Sequence, residues 1–284
     1  MIISIVASAL FAGVVAILIT LAIEHYGGIV GGFLGTIPTT IIPASIGMAS
    51  QSENVALFQT AMDITPVGML LNAIFLLLWR VLPPHLPVKE VRTRLLAMTL
   101  ITLSIWTLMA FCTVFSMESI LRAGFSGRMV GFSATGLIFI IGFIACLKNP
   151  PAPRGSRPVG FRVLLARGGL AATAIGLCVA ISGSGDTQSS LLAGIVSVFP
   201  AIFLTTMVSV WWSQGETVVT GAIGPMMLGS GSVSVYALWI THLGPAMGMA
   251  MGAFLSWLLA IAMVTLPATL WLKGRHEKRC HDTV

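Results

Sequence analysis

Two short stretches, SQSE at residues 50–53 and SQGE at residues 213–216, indicate how this chain is built. Before each stretch, an acidic residue, a glycine and a proline stand at the same spacing from one another, and an apolar run follows it. These markers are Glu24, Gly32 and Pro38 in the first half and Asp186, Gly194 and Pro200 in the second. Because order and spacing recur, we interpret the chain as one unit built twice.

The composition predicts a membrane protein. Of the 284 residues, 56% are hydrophobic and 8% are charged, whereas a soluble domain has about a quarter charged residues. A helix needs about 20 mostly apolar residues to cross the hydrocarbon core, and nine stretches meet that length. These spans are predicted at 1–23, 29–49, 55–82, 95–117, 128–147, 163–182, 190–212, 217–241 and 244–272. The expected fold class is therefore an all-α polytopic membrane protein.

The basic residues predict its orientation. If the nine spans alternate, thirteen of the fifteen Lys and Arg residues fall on one side, and only Arg122 and Arg128 fall on the other. Cytoplasmic loops carry such an excess. We therefore expect an integral protein of the bacterial inner membrane with its N-terminus outside and its C-terminus in the cytoplasm. The net charge of +6 is then a topology signal, and no nucleic-acid partner is expected.

The repeat and the charges together predict an inverted duplication. Residues 1–117 would form a first four-span repeat and residues 163–272 a second one. Residues 118–162 would supply a linker span with a basic loop, and residues 273–284 a basic tail. The linking span, which is the fifth in chain order, turns the second repeat upside down relative to the first. Transporters often use such repeats and bind their substrate near the midplane.

The stretch LLAGIVSVFPAIFLTTMVSVWWSQG, residues 191–215, resembles the GlpM family of small bacterial inner-membrane proteins. The resemblance covers about 80 residues of the second half. It implies a four-span unit associated with synthesis or export of a polysaccharide. The chain differs from that family in being duplicated and in carrying a linker span.

The proline positions predict helix breaks inside the membrane. Pro38 and Pro200 occupy corresponding positions in the second and seventh spans, and each proline removes a backbone donor and frees carbonyl groups. Such backbone is tolerated where it is buried in protein or lines a cavity. Thr36, Thr39 and Thr40 flank the first break and are candidates for an ion or solute path. The alternative is a kinked packing helix.

Asp63 is the single residue that most strongly indicates a functional site. A carboxylate within the third span is costly and marks a functional site by default. Asp63 could bind a proton or a cation, with Gln59 nearby and Asn72 two turns deeper. The alternative is an ion pair with Arg122 or Arg128 near the outer face. Its counterpart in the second repeat is Met226, so such a site would be asymmetric.

The two SxxE stretches have a structural interpretation. Ser50 with Glu53, and Ser213 with Glu216, match a capping box at the start of a helix. Substrate binding at the mouths of a pathway is the alternative. No enzyme motif is found, so we expect no catalytic residue, no cofactor and no metal site.

The leading functional prediction is passage of a small solute or ion between the two repeats. The alternative is an accessory protein of envelope polysaccharide synthesis or export that transports nothing itself. The expected partners are the lipid bilayer and the solute, and self-association into a homo-oligomer is left open.

Overall fold

The computed structural model describes the backbone of residues 2–26, 37–87, 90–148 and 160–281, and within these ranges the side chains except those of residues 19, 22–26, 214 and 276–281. The described residues are helices and short connections. The α-helices are α1 (Ile2–Tyr26), α2 (Ile41–Gln51), α3 (Val55–Val81), α4 (Val91–Arg122), α5 (Gly127–Leu147), α6 (Phe161–Ser182), α7 (Thr187–Val196), α8 (Ala201–Gln214), α9 (Glu216–Met247), α10 (Met249–Ala260) and α11 (Leu266–His281). A 3₁₀ turn at Pro83–His85 follows α3, and a π-helical segment, Ile261–Thr265, joins α10 to α11.

Seven helical stretches among the described residues are long and apolar enough to cross a membrane. They are α3, α4, α5, α6, the pair α7–α8, α9, and α10 continued into α11 as far as Arg275. Helix α1 contributes a shorter apolar stretch, Ile2–Leu18. The prediction of a helical membrane protein is confirmed. The total of nine spans and the inverted repeat stay predictions.

The two ends of the bundle are defined by their side-chain contacts. At one end, the Arg80 guanidinium donates to the carbonyl oxygens of Ala145 and Lys148, which close α5. Arg94, at the start of α4, pairs with Glu216 at the start of α9, with 3.2 Å between Nη1 and Oε2. We call this the basic end, because Arg80, Arg94 and Lys148 lie there. The other end is called the opposite end.

Helices α1 and α6 run antiparallel and cross at small residues. Gly13 of α1 lies against Gly168 of α6, where a Cβ on Gly13 would stand 3.0 Å from the Gly168 carbonyl oxygen. Further along, Gly176 of α6 lies against Ala9 of α1. Small residues let two helices approach closely inside a membrane. The first helices of the two predicted repeats are therefore in direct contact.

The prediction of a capping box at Ser50 and Glu53 is wrong. Ser50 lies in the last turn of α2 and donates to the Gly47 carbonyl at 2.7 Å, as serine hydroxyls do inside helices. Helix α3 begins instead at Asn54, whose Oδ1 accepts from the Leu57 amide at 3.0 Å. Asparagine is among the best N-cap residues, and it displaces the helix start beyond Glu53.

The second capping box, at Ser213 and Glu216, is wrong for a similar reason. Ser213 lies inside α8 and donates to the Ser209 carbonyl at 2.8 Å. The N-cap of α9 is Gly215, with φ of +94°, and no side chain caps it. Glycine adopts this conformation without strain, and Glu216 uses its carboxylate for the ion pair with Arg94.

Candidate functional site

The site is an internal cavity of about 470 Å³ onto which both proline breaks face. Residues 37–41 of the first half and 197–203 of the second half form opposing parts of its wall. Helices α1, α3, α6 and α9 complete the lining. Two chain breaks that are separated by 160 residues in sequence therefore meet in one place.

The second break shows how the chain interrupts its helix. Helix α7 ends at Val196 and α8 begins at Ala201, with Pro200 at the N-cap. The amide of Phe199 donates to the Val196 carbonyl at 3.0 Å, and that of Ala201 to the Phe199 carbonyl at 2.7 Å. These short-range bonds replace the regular α-helical ladder, to which proline cannot donate.

In the first half, the described residues show the non-helical segment that precedes α2. Pro38 and Thr39 are non-helical, Thr40 is the N-cap residue, and α2 begins at Ile41. Pro38, Thr39 and Thr40 all line the cavity, as Pro200 does. Thr36, the remaining threonine predicted here, lies outside the described residues.

Asn72 also lines the cavity, as a buried residue on α3. Its Nδ2 donates to the Val198 carbonyl at 2.7 Å, and its Oδ1 accepts from Trp106 Nε1 at 2.8 Å. The Val198 carbonyl belongs to the broken segment, where regular helical bonds are interrupted. Asn72 thus ties this segment to α3 and, through Trp106, to α4.

Arg167 is the charged residue in the described part of the cavity wall, and its side chain is only 5% exposed. It lies two turns into α6, where its Nη1 donates to Thr20 at 2.7 Å. Its Nε donates to Thr205 at 3.1 Å and its Nη2 to Thr206 at 2.8 Å. One guanidinium therefore links α1, α6 and α8 beside the cavity.

Sequence reasoning missed the role of Arg167, because it counted this residue with the basic loop before α6. The structure corrects this placement: the residue is buried in the wall of the cavity. A signal was present, since residue 167 falls inside the predicted span 163–182. An arginine within an apolar span is rare and costly, and it usually faces the protein interior.

The cavity lies between the breaks and the basic end. Its lining includes the second half of α1 and α3, residues 167–175 of α6, residues 222–233 of α9, and α8 as far as Val210. Met226, the predicted repeat counterpart of Asp63, is part of this wall. The interior of the helix bundle therefore contains a cavity on the side of the breaks that faces the basic end.

On the side of the opposite end, the helices are closely packed beyond the breaks. Ser45 of α2 and Tyr236 of α9 share a hydrogen bond of 2.6 Å, and both are fully buried. Gly194 of α7 lies so close to α3 that a Cβ would overlap the Ala61 carbonyl. We call this packed region the closure.

Asp63 and Gln59 lie in the closure and outside the cavity wall. Asp63 is 8% exposed, and its Oδ1 lies 3.7 Å from Arg128 Nε on α5. Gln59 donates through Nε2 to the Thr241 carbonyl of α9 at 2.9 Å. The sequence prediction that placed them on one path with Pro38 and Pro200 is corrected here, because Asp63 and Gln59 face the α3–α5–α9 contact.

These features define a class: a helical membrane protein with a cavity lined by the break between α7 and α8 and by the segment that precedes α2. Comparison with models of known protein families, with curated proteins and with solved structures gives no match. Among the described residues, no group of three or more His, Cys, Asp or Glu side chains could hold a metal ion.

Proposed function

We propose that this protein moves a small solute across the membrane through the cavity between its two halves. The observation that carries this proposal is that Pro38 and Pro200, at corresponding positions of the two predicted repeats, line one cavity of about 470 Å³. Broken helices that meet near the midplane are the usual construction of binding sites in secondary transporters. Irregular backbone at this depth is also tolerated where it lines a cavity.

An inverted duplication supports an alternating mechanism. Helix α1 contacts α6 in antiparallel fashion, and α3 contacts α9 through the Gln59 bond to Thr241. In our proposal these are the equivalent helices of two repeats related by a two-fold axis in the membrane plane. The open cavity on one side of the breaks and the closure on the other then represent one of two states. The second state would open the closure and seal the cavity.

The basic end supports an orientation. Arg80, Arg94 and Lys148 lie there, and the sequence predicts most other cationic residues on the same side. By the positive-inside tendency, we propose that this end faces the cytoplasm of a bacterial inner membrane. The cavity would then be on the cytoplasmic side of the breaks.

The cavity wall indicates the kind of solute. Most lining residues are Ala, Ile, Val, Met, Phe and Pro, and the polar groups are hydroxyls, the Asn72 amide and Arg167. Pockets of this volume with a few placed polar groups suit small organic molecules. We propose a small solute with an apolar body and polar groups that contact the broken segments.

Cysteine accessibility tests the proposal without knowledge of the solute. In a variant lacking the native cysteines, Ser209→Cys places a thiol on the cavity wall, and Ser256→Cys places one in a buried position outside that wall. A membrane-impermeant thiol reagent applied at the basic end is expected to label the first variant and not the second. Equal protection of both thiols would exclude a wet cavity open to that end.

Transport itself is tested in two further steps. Small molecules are first screened for those that protect Ser209→Cys from labelling, and protective compounds are then assayed for flux in liposomes. Flux that requires the protein and is lost on substitution of Asn72 or Arg167 supports transport. Protection without any flux would contradict it.

The resemblance of residues 191–215 to the GlpM family supports a second proposal, a role in envelope polysaccharide synthesis or export. This stretch forms much of α7, the break and α8. Deletion of the protein would then alter surface polysaccharide, whereas the purified protein would show no flux of any solute.

A further inference from the structure

Asp63, which is buried, forms an ion pair with the partly exposed Arg128 at the edge of the closure. Helices α3, α5 and α9 pack against one another there, and Gly131 of α5 comes so near that a Cβ would stand 2.5 Å from the Asp63 carbonyl oxygen. The carboxyl Oδ1 and the guanidinium Nε lie 3.7 Å apart, and neither atom has a hydrogen-bond partner among the described residues. The attraction between these two charges therefore contributes to the α3–α5 contact without a hydrogen bond between these two atoms.

The other charged groups around Asp63 leave Arg128 as its main partner. His242 of α9 lies close enough to Asp63 to interact electrostatically. On α4, Glu118 and Arg122 are exposed and pair with each other. The elements that reach the closure from the remaining sides carry Asp186, held by Ser189 at the start of α7, and Glu53, whose carboxylate lies over Gly185.

We propose that Asp63 is a proton-binding site whose protonation releases the closure. A proton from the solution at the opposite end would bind the carboxylate and give a neutral acid. The Coulomb attraction to Arg128, which is stronger at a partly buried site than in bulk water, would then be lost. This inference rests on the proposed function only in the final step, that release of the closure exposes the cavity to the other side.

The position of Asp63 on α3 connects the proton site to the breaks. One turn towards the opposite end, Gln59 makes the α3–α9 bond to Thr241. On the cavity side, Thr65 and Asn72 donate to carbonyls of the second broken helix, those of Gly194 and Val198. A shift of α3 after loss of the ion pair would therefore act on both the closure and the broken segment.

A labelling experiment in liposomes tests the proton site directly. In the variant without native cysteines, Ser234→Cys places a buried thiol about two turns deeper along α9 than His242. Ser184→Cys, in the exposed turn between α6 and α7, serves as the reference thiol. An impermeant reagent is applied at the opposite end, and the ratio of the two labelling rates removes the intrinsic effect of pH on thiol reactivity.

The labelling rate of Ser234→Cys relative to that of Ser184→Cys is expected to rise as the external pH is lowered from about 8 to about 5. The lower limit of this range approaches the pH at which carboxyl groups bind protons. One bound proton limits the slope to about tenfold per pH unit. Asp63→Asn is expected to give a high ratio that no longer depends on pH. A flat ratio in the parent protein would overturn the proposal, whether or not the Asp63 variant folds.

Two matched controls separate Asp63 from its neighbours. Glu118→Gln removes an exposed carboxylate that is also paired with an arginine, and it should leave the pH response unchanged. His242→Gln should retain the pH response of the labelling ratio. If this variant lost the response, the proton would be assigned to His242 and the role of Asp63 would be overturned. Because labelling requires no solute, failure to find flux would contradict the proposed function and leave this result in place.

Discussion

The Nδ2 atom of Asn72 lies 2.7 Å from the carbonyl oxygen of Val198, so an amide on α3 satisfies an acceptor in the break between α7 and α8. The same side chain accepts from Trp106 on α4 at 2.8 Å. A buried carbonyl without a partner is costly, and a broken helix inside a membrane exposes such carbonyls. Asn72 is therefore a structural requirement of the break as well as part of the cavity wall.

Replacement of Asn72 by leucine should destabilise the protein. The Val198 carbonyl and the Trp106 indole N–H would both lose their partner, at about 1–3 kcal/mol for each buried group. The measurement is thermal unfolding of the purified protein in detergent. Met226→Leu, a volume-conserving change on the same cavity wall, is the matched control and should cost less than about 1.5 kcal/mol. Equal melting temperatures for the two variants would refute the role of Asn72.

Replacement of Arg167 by methionine should weaken the contact among α1, α6 and α8. The three hydrogen bonds to Thr20, Thr205 and Thr206 would be lost together. Arg167→Lys should recover only part of the stability, because an ammonium group cannot reproduce the planar donor set of a guanidinium. The check is the melting temperature, with Arg162→Met on the exposed first turn of α6 as the control. A lysine variant as stable as the parent protein would contradict the geometric argument.

The positions of the helices could be predicted from the sequence, because the length of an apolar run is limited by the bilayer. The run predicted at 55–82 is α3, Val55–Val81, and the run predicted at 128–147 is α5, Gly127–Leu147. The prolines also predicted helix breaks: the break at Pro200 separates α7 from α8, and Pro38 lines the same cavity as Pro200.

The partners of polar side chains could not be predicted in the same way. Asn72 and Val198 are 126 residues apart, and their contact depends on how α3 packs on the second broken helix. Local patterns such as S-x-x-E also failed as predictors of a helix start where a nearby asparagine or glycine forms the cap instead. The spacing of residues in the sequence does not show which of several candidate residues forms the N-cap of the helix.

Replacement of Gly194 by alanine should strongly destabilise the crossing of α3 and α7. A Cβ there would overlap the Ala61 carbonyl and contact Ile64. Overpacking of this kind costs about 1–3 kcal/mol or more when backbone must move. Gly136 of α5 is the matched control, because nothing lies within 4 Å of its Cβ position. Gly136→Ala should instead raise helix stability by about 0.5–1 kcal/mol, and a similar loss in both variants would argue against the close crossing.

The cap of α7 makes a prediction about pH. The Oδ1 of Asp186 accepts from the Ser189 amide at 2.8 Å, and its Oδ2 accepts from the Ser189 hydroxyl at 2.6 Å. These hydrogen bonds hold the pKa of Asp186 below its ordinary value of 3.8. Because the pKa is lower in the folded state, the charged carboxylate stabilises the fold at pH values above the ordinary pKa. This stabilisation is lost as the pH falls through the folded-state pKa.

Asp186→Asn preserves an N-cap acceptor and carries no charge, so it separates the two contributions. At neutral pH the parent protein should melt at a higher temperature than Asp186→Asn, and Asp186→Ala should have the lowest melting temperature. The loss of the cap in Asp186→Ala lowers the free energy of unfolding by about 1 kcal/mol. Below about pH 4 the difference between the parent and the asparagine variant should shrink, because the parent carboxylate becomes protonated. The measurement is a series of melting curves from about pH 7 to about pH 3. A difference that grows on acidification would show that the carboxylate at residue 186 is not stabilised in its charged form by Ser189.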